Sequence, residues 1–340
     1  MNFLHSIPSI KLKLSLVIVG EVVLAVAITD IGVRLGWPFW IRSVASIAIS
    51  LFMVQVFARG MTRPLRAMDT AVARMAQGDY RQRIETSSID EVGRLAATFN
   101  AMSAEMAKID QERRDLVTNA SHELRTPLAA LRAQLENLID GVSEPTPAKL
   151  EAMHAQTERL EKLVSRVMDL ARIESGQATL HIEQTNVGEL LTSAVEGARL
   201  RNPDASFELT GVDLASRAAE VDLDPLRIGQ VLANLLDNAA HHSHASAGAS
   251  VGTEPIQVEA RCGDEMLHIE VRDLGPGIDP ADASRVFERF YRADEARSTA
   301  SGGAGLGLAI AHGIVEMHGG TIAAEVNHPH GCRMVLAIPG

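Results

Sequence analysis

His122 is the first residue in this chain whose neighbours suggest chemistry. It stands in the run Ser121-His122-Glu123-Leu124-Arg125-Thr126-Pro127-Leu128, with a carboxylate beside it and the Thr126 hydroxyl one helical turn beyond that carboxylate. A neutral imidazole is a nucleophile near neutral pH. Farther on, Asn234 and Asn238 fall one turn apart on one helix face. Amide oxygens are hard, neutral ligands suited to Mg²⁺ between phosphates. The run Asp273-Leu274-Gly275-Pro276-Gly277 offers a carboxylate that can accept from the amino group of a base, with glycines that let backbone come close. Gly302 to Leu308, GGAGLGL, opens an apolar helix whose freed backbone N–H groups could hold phosphate oxygens at its positive end. Taken singly each motif is weak, because surface histidines, helical asparagines and glycine turns are common.

The elements that carry these residues change along the chain. Val117, Ala120, Leu124, Leu128, Leu131, Leu135 and Leu138 form one apolar seam, and Leu150, Met153, Thr157, Leu160, Leu163, Val167 and Leu170 form a second. The turn-rich stretch GVSEPTP between them makes the pair an antiparallel hairpin. His122 lies off the stripe and points outward. A lone hairpin has no second layer for its stripe, so pairing of two copies into a four-helix bundle is expected. Pro127 removes one helical hydrogen bond and should bend the helix just past His122. From about Thr179 the period shortens, and the runs TLHIE, IQVEAR and MLHIEVRD read as strands. Asn186 with Glu189 caps one helix, and Asp224 caps another through Ile228 to Ala240. Strands and helices do not alternate strictly, so residues 177–340 are expected to form an α+β sandwich.

The segment Ser121 to Leu128 closely resembles the H-box of two-component sensor histidine kinases. The resemblance implies that His122 accepts a phosphoryl group, that Glu123 orients the ring or takes its proton, and that Thr126 positions water for dephosphorylating a partner. Gln230 to Ser243, Asp273 to Gly277 and Gly302 to Leu308 resemble, in order and spacing, the nucleotide motifs of the GHKL ATPase family. That likeness implies ATP as substrate and Mg²⁺ on Asn238. It places Asn234, His241, Asp273, Gly275, Gly277, Phe290, Gly303, Gly305, Leu306 and Gly307 around the nucleotide. VFERFYRAD resembles the family's F-box, with Phe287, Phe290 and Tyr291 as lid anchors and Arg289, Arg292 and Arg297 bringing positive charge. His241 departs from the pattern, since many relatives carry Lys or Arg there. The irregular spacing of His241, His242 and His244, with an Ala/Gly/Ser-rich tail through Gly252, favours a mobile loop over a metal site. A Walker A loop is absent, which argues against P-loop chemistry.

Upstream, residues 14–33 and 41–58 are apolar runs long enough to cross a bilayer as helices. Lys11, Lys13, Arg59, Arg63 and Arg66 put both flanks inside, making residues 1–13 a cytoplasmic N-terminus and 34–40 a short external loop with Trp37, Phe39 and Trp40 at the interface. Glu21 lies within the first span; a signal-reading role and a bland, snorkelling acid are weighed equally. Residues 59–112 carry two short amphipathic seams around Gly78-Asp79-Tyr80 (Leu65, Met68, Val72 and Met75, then Leu95, Phe99, Met102, Met106 and Ile109), with Pro64 at the first helix's start. Together with Asp90-Glu91-Val92-Gly93 they resemble a HAMP signal relay. Residues 113–176 are then the dimerisation and phospho-acceptor hairpin.

The 340 residues have a net charge of −11 and only 4% aromatics, which argues against a nucleic-acid partner. Cys262 and Cys332 make no CxxC pair and read as small buried hydrophobes in a reducing compartment. The sequence thus implies a homodimeric, multi-pass protein of the bacterial inner membrane. It would phosphorylate itself on His122 and pass the group to an Asp of a response regulator. Its signal arrives through membrane lipid, a membrane signalling partner or the short loop. A net phosphatase and a weakly catalytic membrane scaffold are the alternatives.

Overall fold

The computed structural model describes residues 9–86, 88–210, 220–245, 254–263, 266–292, 304–328 and 330–339, without the side chains of 244 and 245. The chain divides into two compact units, Met1–Leu116 and Val117–Gly340.

In the first unit, α1 (Ile10–Arg34) and α2 (Phe39–Met75) pack against each other. Both are long and apolar enough to cross a membrane, with mean hydropathy 2.3 and 1.8, and their outer faces bear exposed Val, Leu, Ile and Phe. At 1.5 Å per residue α1 is about 38 Å long, enough for a hydrocarbon core of about 30 Å. Gly32 lies so close to α2 that a Cβ there would come 2.6 Å from Arg42 Cγ. The relay begins without a break. α2 runs through Pro64, which is therefore interior to a continuous helix and not at the start of a separate one. The helix tolerates it because the bond lost is a single one and the apolar run before it is already helical.

A small core of Met68, Ala71, Ile84, Val92, Ala96 and Phe99 closes this unit. Leu65, Val72, Leu95, Met102, Met106 and Ile109 stay exposed, so the apolar seams split between an internal core and an open face. Asp90 builds the turn into α3 (Glu91–Ile139): its Oδ1 accepts from Val92 N at 3.0 Å and Gly93 N at 3.1 Å, and its Oδ2 accepts from Lys13 Nζ at 2.6 Å. Glu91 accepts from the backbone N of Ile10 at 2.7 Å. Gly93 sits against the Ser88 carbonyl, where a Cβ would fall at 1.8 Å, so no side chain fits.

In the second unit, the remainder of α3 and α4 (Pro147–Glu174) form the hairpin. The two helices hardly approach each other, and Val117, Leu128, Leu135, Leu150, Val164 and Met168 remain exposed. Ala120, Met153 and Leu170 of the expected stripe are buried while Val117, Leu128, Leu135 and Leu150 are not, so the stripe is only partly covered within one chain. Beyond it, β1 (Glu183–Asn186) pairs antiparallel with β3 (Glu220–Leu223). A five-stranded sheet runs in the order β2 (Phe207–Thr210), β4 (Ile256–Gly263), β5 (Met266–Arg272), β7 (Cys332–Pro339), β6 (Thr321–Val326), with β2 parallel to β4 and all other pairs antiparallel. α5 (Val187–Arg201), α6 (Pro225–Ala245) and α7 (Gly307–Met317) supply the apolar layer that buries its inner face.

Leu191, Ile228, Leu232, Leu235, Leu236, Ile310 and Ile314 meet Leu267, Ile269 and Leu336 in that core, all fully buried. Each contributes about 1.5–3 kcal/mol by leaving water. This is the expected α+β sandwich. One expected strand is displaced. TLHIE contributes only Glu183 to β1, because the N–H of His181 goes to Asp224 Oδ2 at 2.9 Å and not to a neighbouring strand. The caps form as read: Asn186 Oδ1 accepts from Glu189 N and Asp224 Oδ1 from Arg227 N, both at 3.0 Å. Cys332 is buried, but Cys262 is exposed, since the last residues of β4 run past the covering helices.

Candidate functional site

The reactive-looking histidine comes first because its helix is simplest. His122, Glu123 and Thr126 are all exposed on α3. The Thr126 hydroxyl makes only a long, 3.5 Å bond to the His122 carbonyl. Pro127 is interior to α3 and leaves the Glu123 carbonyl without its helical donor. A cavity of about 340 Å³ opens beside His122, lined by Asn119, His122 and Glu123 from α3 and by Glu288, Arg289, Phe290 and Tyr291 from the segment after β5.

That segment is held in an unusual shape. Phe290 has φ +60°, and its N–H donates to the Gly305 carbonyl at 2.9 Å. Gly305, at φ +68°, could carry no side chain, because a Cβ would lie 2.8 Å from Phe290 Cα and from Tyr291 O. Phe287 rests near the His312 ring of α7, and the Arg285 guanidinium lies 4.6 Å from the centroid of Tyr291. Leu306, fully buried, then starts α7, and Gly307 abuts Asn234, whose Oδ1 would stand 3.4 Å from a Cβ there. Asn234 and Asn238 share one face of α6, both half-buried.

Asp273 anchors the other side. It is 6% exposed, and its Oδ1 accepts from Gly275 N at 2.9 Å and Cys332 N at 3.1 Å. Its own N–H donates to the Cys332 carbonyl, and its carbonyl accepts from Asn327 Nδ2 at 2.9 Å. Among the described residues no hydrogen bond reaches Oδ2. Burial raises its pKa above the ordinary carboxyl value, only partly offset by those two N–H groups and by His242. His242 packs beside Gly275 and stacks edge-on with His241 at 5.4 Å. Burial, then the charge of His241, lowers the pKa of His242. The Cys332 thiol is pushed up to about 12 by burial and by the Asp273 charge.

Several expectations change here. His241 and His242 belong to the last turns of α6, which continues to Ala245, so they are not part of a mobile loop. Burial of Ala239 and Ala240 carries the helix past its expected end. Among the described residues no cluster suited to a metal ion forms. Gly303, Arg297 and the His244 side chain lie outside the described residues. The structure brings Asn234 to Gly307, Phe290 to Gly305, and Asp273 to Gly275 and His242. Phe290 belongs to both the His122 cavity and the glycine turn.

Sequence reasoning missed Gly331, Asn327 and Asp224. At φ +105° Gly331 lies where a Cβ would be 2.0 Å from the Asp273 carbonyl oxygen, and its own carbonyl crowds Gly277. The only signal was a glycine opening the alternating run CRMVLAIP. Asp224 was read as a cap alone, yet it also holds the linker at His181. A second cavity of about 530 Å³ lies at that linker, between Arg172, His181 and Arg227, and contains none of the expected site residues.

Three families match the chain: HAMP domain over residues 56–108, His Kinase A (phospho-acceptor) domain over 112–176, and Histidine kinase-, DNA gyrase B-, and HSP90-like ATPase over 223–340. The signal transduction histidine-protein kinase BaeS of Escherichia coli strain K12 is 32% identical over 88% of this chain and 62% of its own length. The signal transduction histidine-protein kinase/phosphatase MprB of Mycolicibacterium vanbaalenii is 35% identical over 90% of this chain and 63% of its own. The chain therefore spans about three-fifths of the length of these curated relatives. Among solved structures, the Acinetobacter baumannii histidine kinase AdeS matches with a TM-score of 0.53 at 27% identity, over 64% of this chain and 97% of that one.

Proposed function

We propose that this chain, which belongs to the two-component sensor histidine kinases, transfers the γ-phosphoryl group of ATP to His122 and then to an aspartate of a response regulator. One observation carries the reading. The cavity beside His122 and Glu123 is closed by Phe290, whose backbone is bonded to Gly305 at the entry to α7. The acceptor imidazole and the glycine turn that would hold phosphates thus share a wall.

The residues fit a nucleotide. Asp273 fixes Oδ1 on backbone and leaves Oδ2 for the amino group of the base, while Gly275 and Gly277 keep the floor open. Gly305 and Gly307 bare the first turn of α7, whose N-terminus favours anionic oxygens. Asn238 would hold Mg²⁺ and Asn234 would brace the glycine turn, with His241 as a further donor. Bound Mg²⁺ supplies charge neutralisation on the phosphates in a transfer that is largely positioning and electrostatics. Glu123 orients the imidazole and receives its proton.

The open stripes of the hairpin and the relay are read as the face of a second copy, giving a homodimer. α1 and α2 are read as spans of the bacterial inner membrane, with the relay and catalytic parts in the cytoplasm. The expected result is that His122→Gln abolishes acid-labile label from γ-labelled ATP, while label that persists on the variant refutes the assignment.

A phosphatase activity toward the same regulator is a second reading. It is favoured by relatives named kinase/phosphatase and by an exposed Thr126 hydroxyl that its own helix holds only loosely. Loss of regulator dephosphorylation in Thr126→Ala, with His122 labelling intact, is the expected outcome.

A further inference from the structure

The hairpin leaves one question that the described contacts address, namely whose histidine the nucleotide serves. In a dimer, each catalytic body could face the α3 of its own chain or that of its partner. The answer depends on where the body is fastened and on which α3 lines its mouth.

Its fastening is to its own α4, by three contacts of different kinds. Ile173 projects against Gly313 of α7, where an added Cβ would lie 2.7 Å from Ile173 Cγ2, so the helices meet at a glycine notch. Gln230 of α6 donates to Asp169 Oδ2 at 3.3 Å. Arg289, from the segment that walls the His122 cavity, forms an ion pair with Glu174 at the end of α4.

The connecting chain is short as well. After Glu174, the N–H groups of Gln177 and Ala178 turn back onto the Arg172 carbonyl, and the N–H of His181 is already held by Asp224 of the catalytic body. Only residues 179 and 180 remain between these two anchor points, a reach of about 10 Å even when extended. The body therefore stays against its own hairpin, and its mouth opens on its own α3: Asn119, His122 and Glu123 line one side of the cavity, and Glu288, Arg289, Phe290 and Tyr291 of the same chain line the other.

We infer that phosphoryl transfer occurs in cis, each chain phosphorylating its own His122 from the nucleotide it binds. This rests on the kinase reading above. An imidazole nitrogen of His122 forms a bond to the γ-phosphorus, and the bond from that phosphorus to the β,γ-bridging oxygen breaks. ADP leaves with the electron pair, and the ring proton passes to Glu123 or water.

The test uses full-length mixed dimers in membranes, isolated through two different affinity tags. One dimer pairs a His122→Gln chain with an Asn238→Ala chain. The other pairs an unaltered chain with a chain carrying both substitutions. With γ-labelled Mg-ATP, transfer in cis leaves the first dimer as dark as either variant alone, and the second dimer takes half the label of the unaltered homodimer. Label on the first dimer overturns the inference, whether or not the second is also labelled. If the unaltered homodimer takes no label at His122, the kinase reading itself falls, which separates the two failures.

Discussion

Two buried aspartates, one in each unit, do similar work on the backbone and are left in opposite states. Asp90 and Asp273 each turn Oδ1 toward two backbone N–H groups. Asp90 also has Lys13 Nζ at 2.6 Å, and that bond, with Ser88, Gly93 and the Lys13 charge, outweighs burial and holds its carboxyl below the ordinary value of 3.8. Among the described residues Asp273 has no Lys or Arg paired with it, and burial prevails, lifting it above 3.8. The first carboxylate is completed by the fold. The second, among the described residues, is bonded at Oδ1 alone, and an unpartnered buried oxygen costs stability.

The sharpest way to break this contrast is Asp90→Asn, which strands Lys13 in a buried site. About 3–5 kcal/mol of stability should be lost from the first unit, read as an early thermal transition of the full-length protein in lipid nanodiscs. Recovery of much of that loss in the double variant Lys13→Met/Asp90→Asn is expected, since no lone charge remains and Asn keeps the acceptor for Val92 and Gly93.

Next in size is Asp273→Asn. It retains an Oδ1 acceptor for Gly275 and Cys332 but presents an amide donor where a base amino group would arrive. ATP affinity by calorimetry should fall by about 2–3 kcal/mol, roughly 30–150-fold, with the nucleotide-free melting temperature unchanged or higher. A marked fall in melting temperature would make Asp273 a structural anchor like Asp90 and erase the distinction.

Acid should then shrink both differences. Asp90 has a lowered folded-state value, so its contribution is complete above 3.8 and fades as pH drops through that lowered value. Asp273 has a raised value, so its protonated form is the one the fold favours; its penalty is absent below 3.8 and complete once pH has climbed through that raised value. Melts stepped down from pH 7 should show the Asp273→Asn difference vanishing below 3.8 and the Asp90→Asn difference shrinking only at still lower pH. The smallest effect is expected from Gly313→Ala, at about 1 kcal/mol. It pushes on the Ile173 methyl and should appear as faster hydrogen exchange at the end of α4.

The contrast also marks what could be read from the sequence. Periodicity located the hairpin, the relay helices, the caps at Asn186 and Asp224, and the β4 and β5 strands of the sheet, because apolar faces leave a repeating trace. It did not show that α2 would run on through Pro64, since helix continuity is decided by neighbouring turns and not by the single residue. His241 and His242 were assigned to a loop because the tail beyond them is small and polar; burial of the two alanines before them settled the matter. The motifs around His122, Asn238 and Asp273 were legible as strings. Their supports were not, because Gly331 and Asn327 reach Asp273 from more than fifty residues away, across two strands. Likewise, Asp90 looked like part of a relay motif, and nothing in the string foretold Lys13 as its partner.

The unbroken α2 also has a mechanical meaning. From Phe39 to Met75 the apolar run and the first helix of the HAMP region are one continuous helix, about 55 Å long at 1.5 Å per residue. Its stiffness is uneven. Pro64 has no N–H for the Gly60 carbonyl four residues earlier, and Gly60 is itself the least rigid kind of helical residue, with open space where its side chain would be. A load applied along or about the helix would reach the relay nearly undiminished, while a sideways load would be taken up as flexure between Gly60 and Pro64.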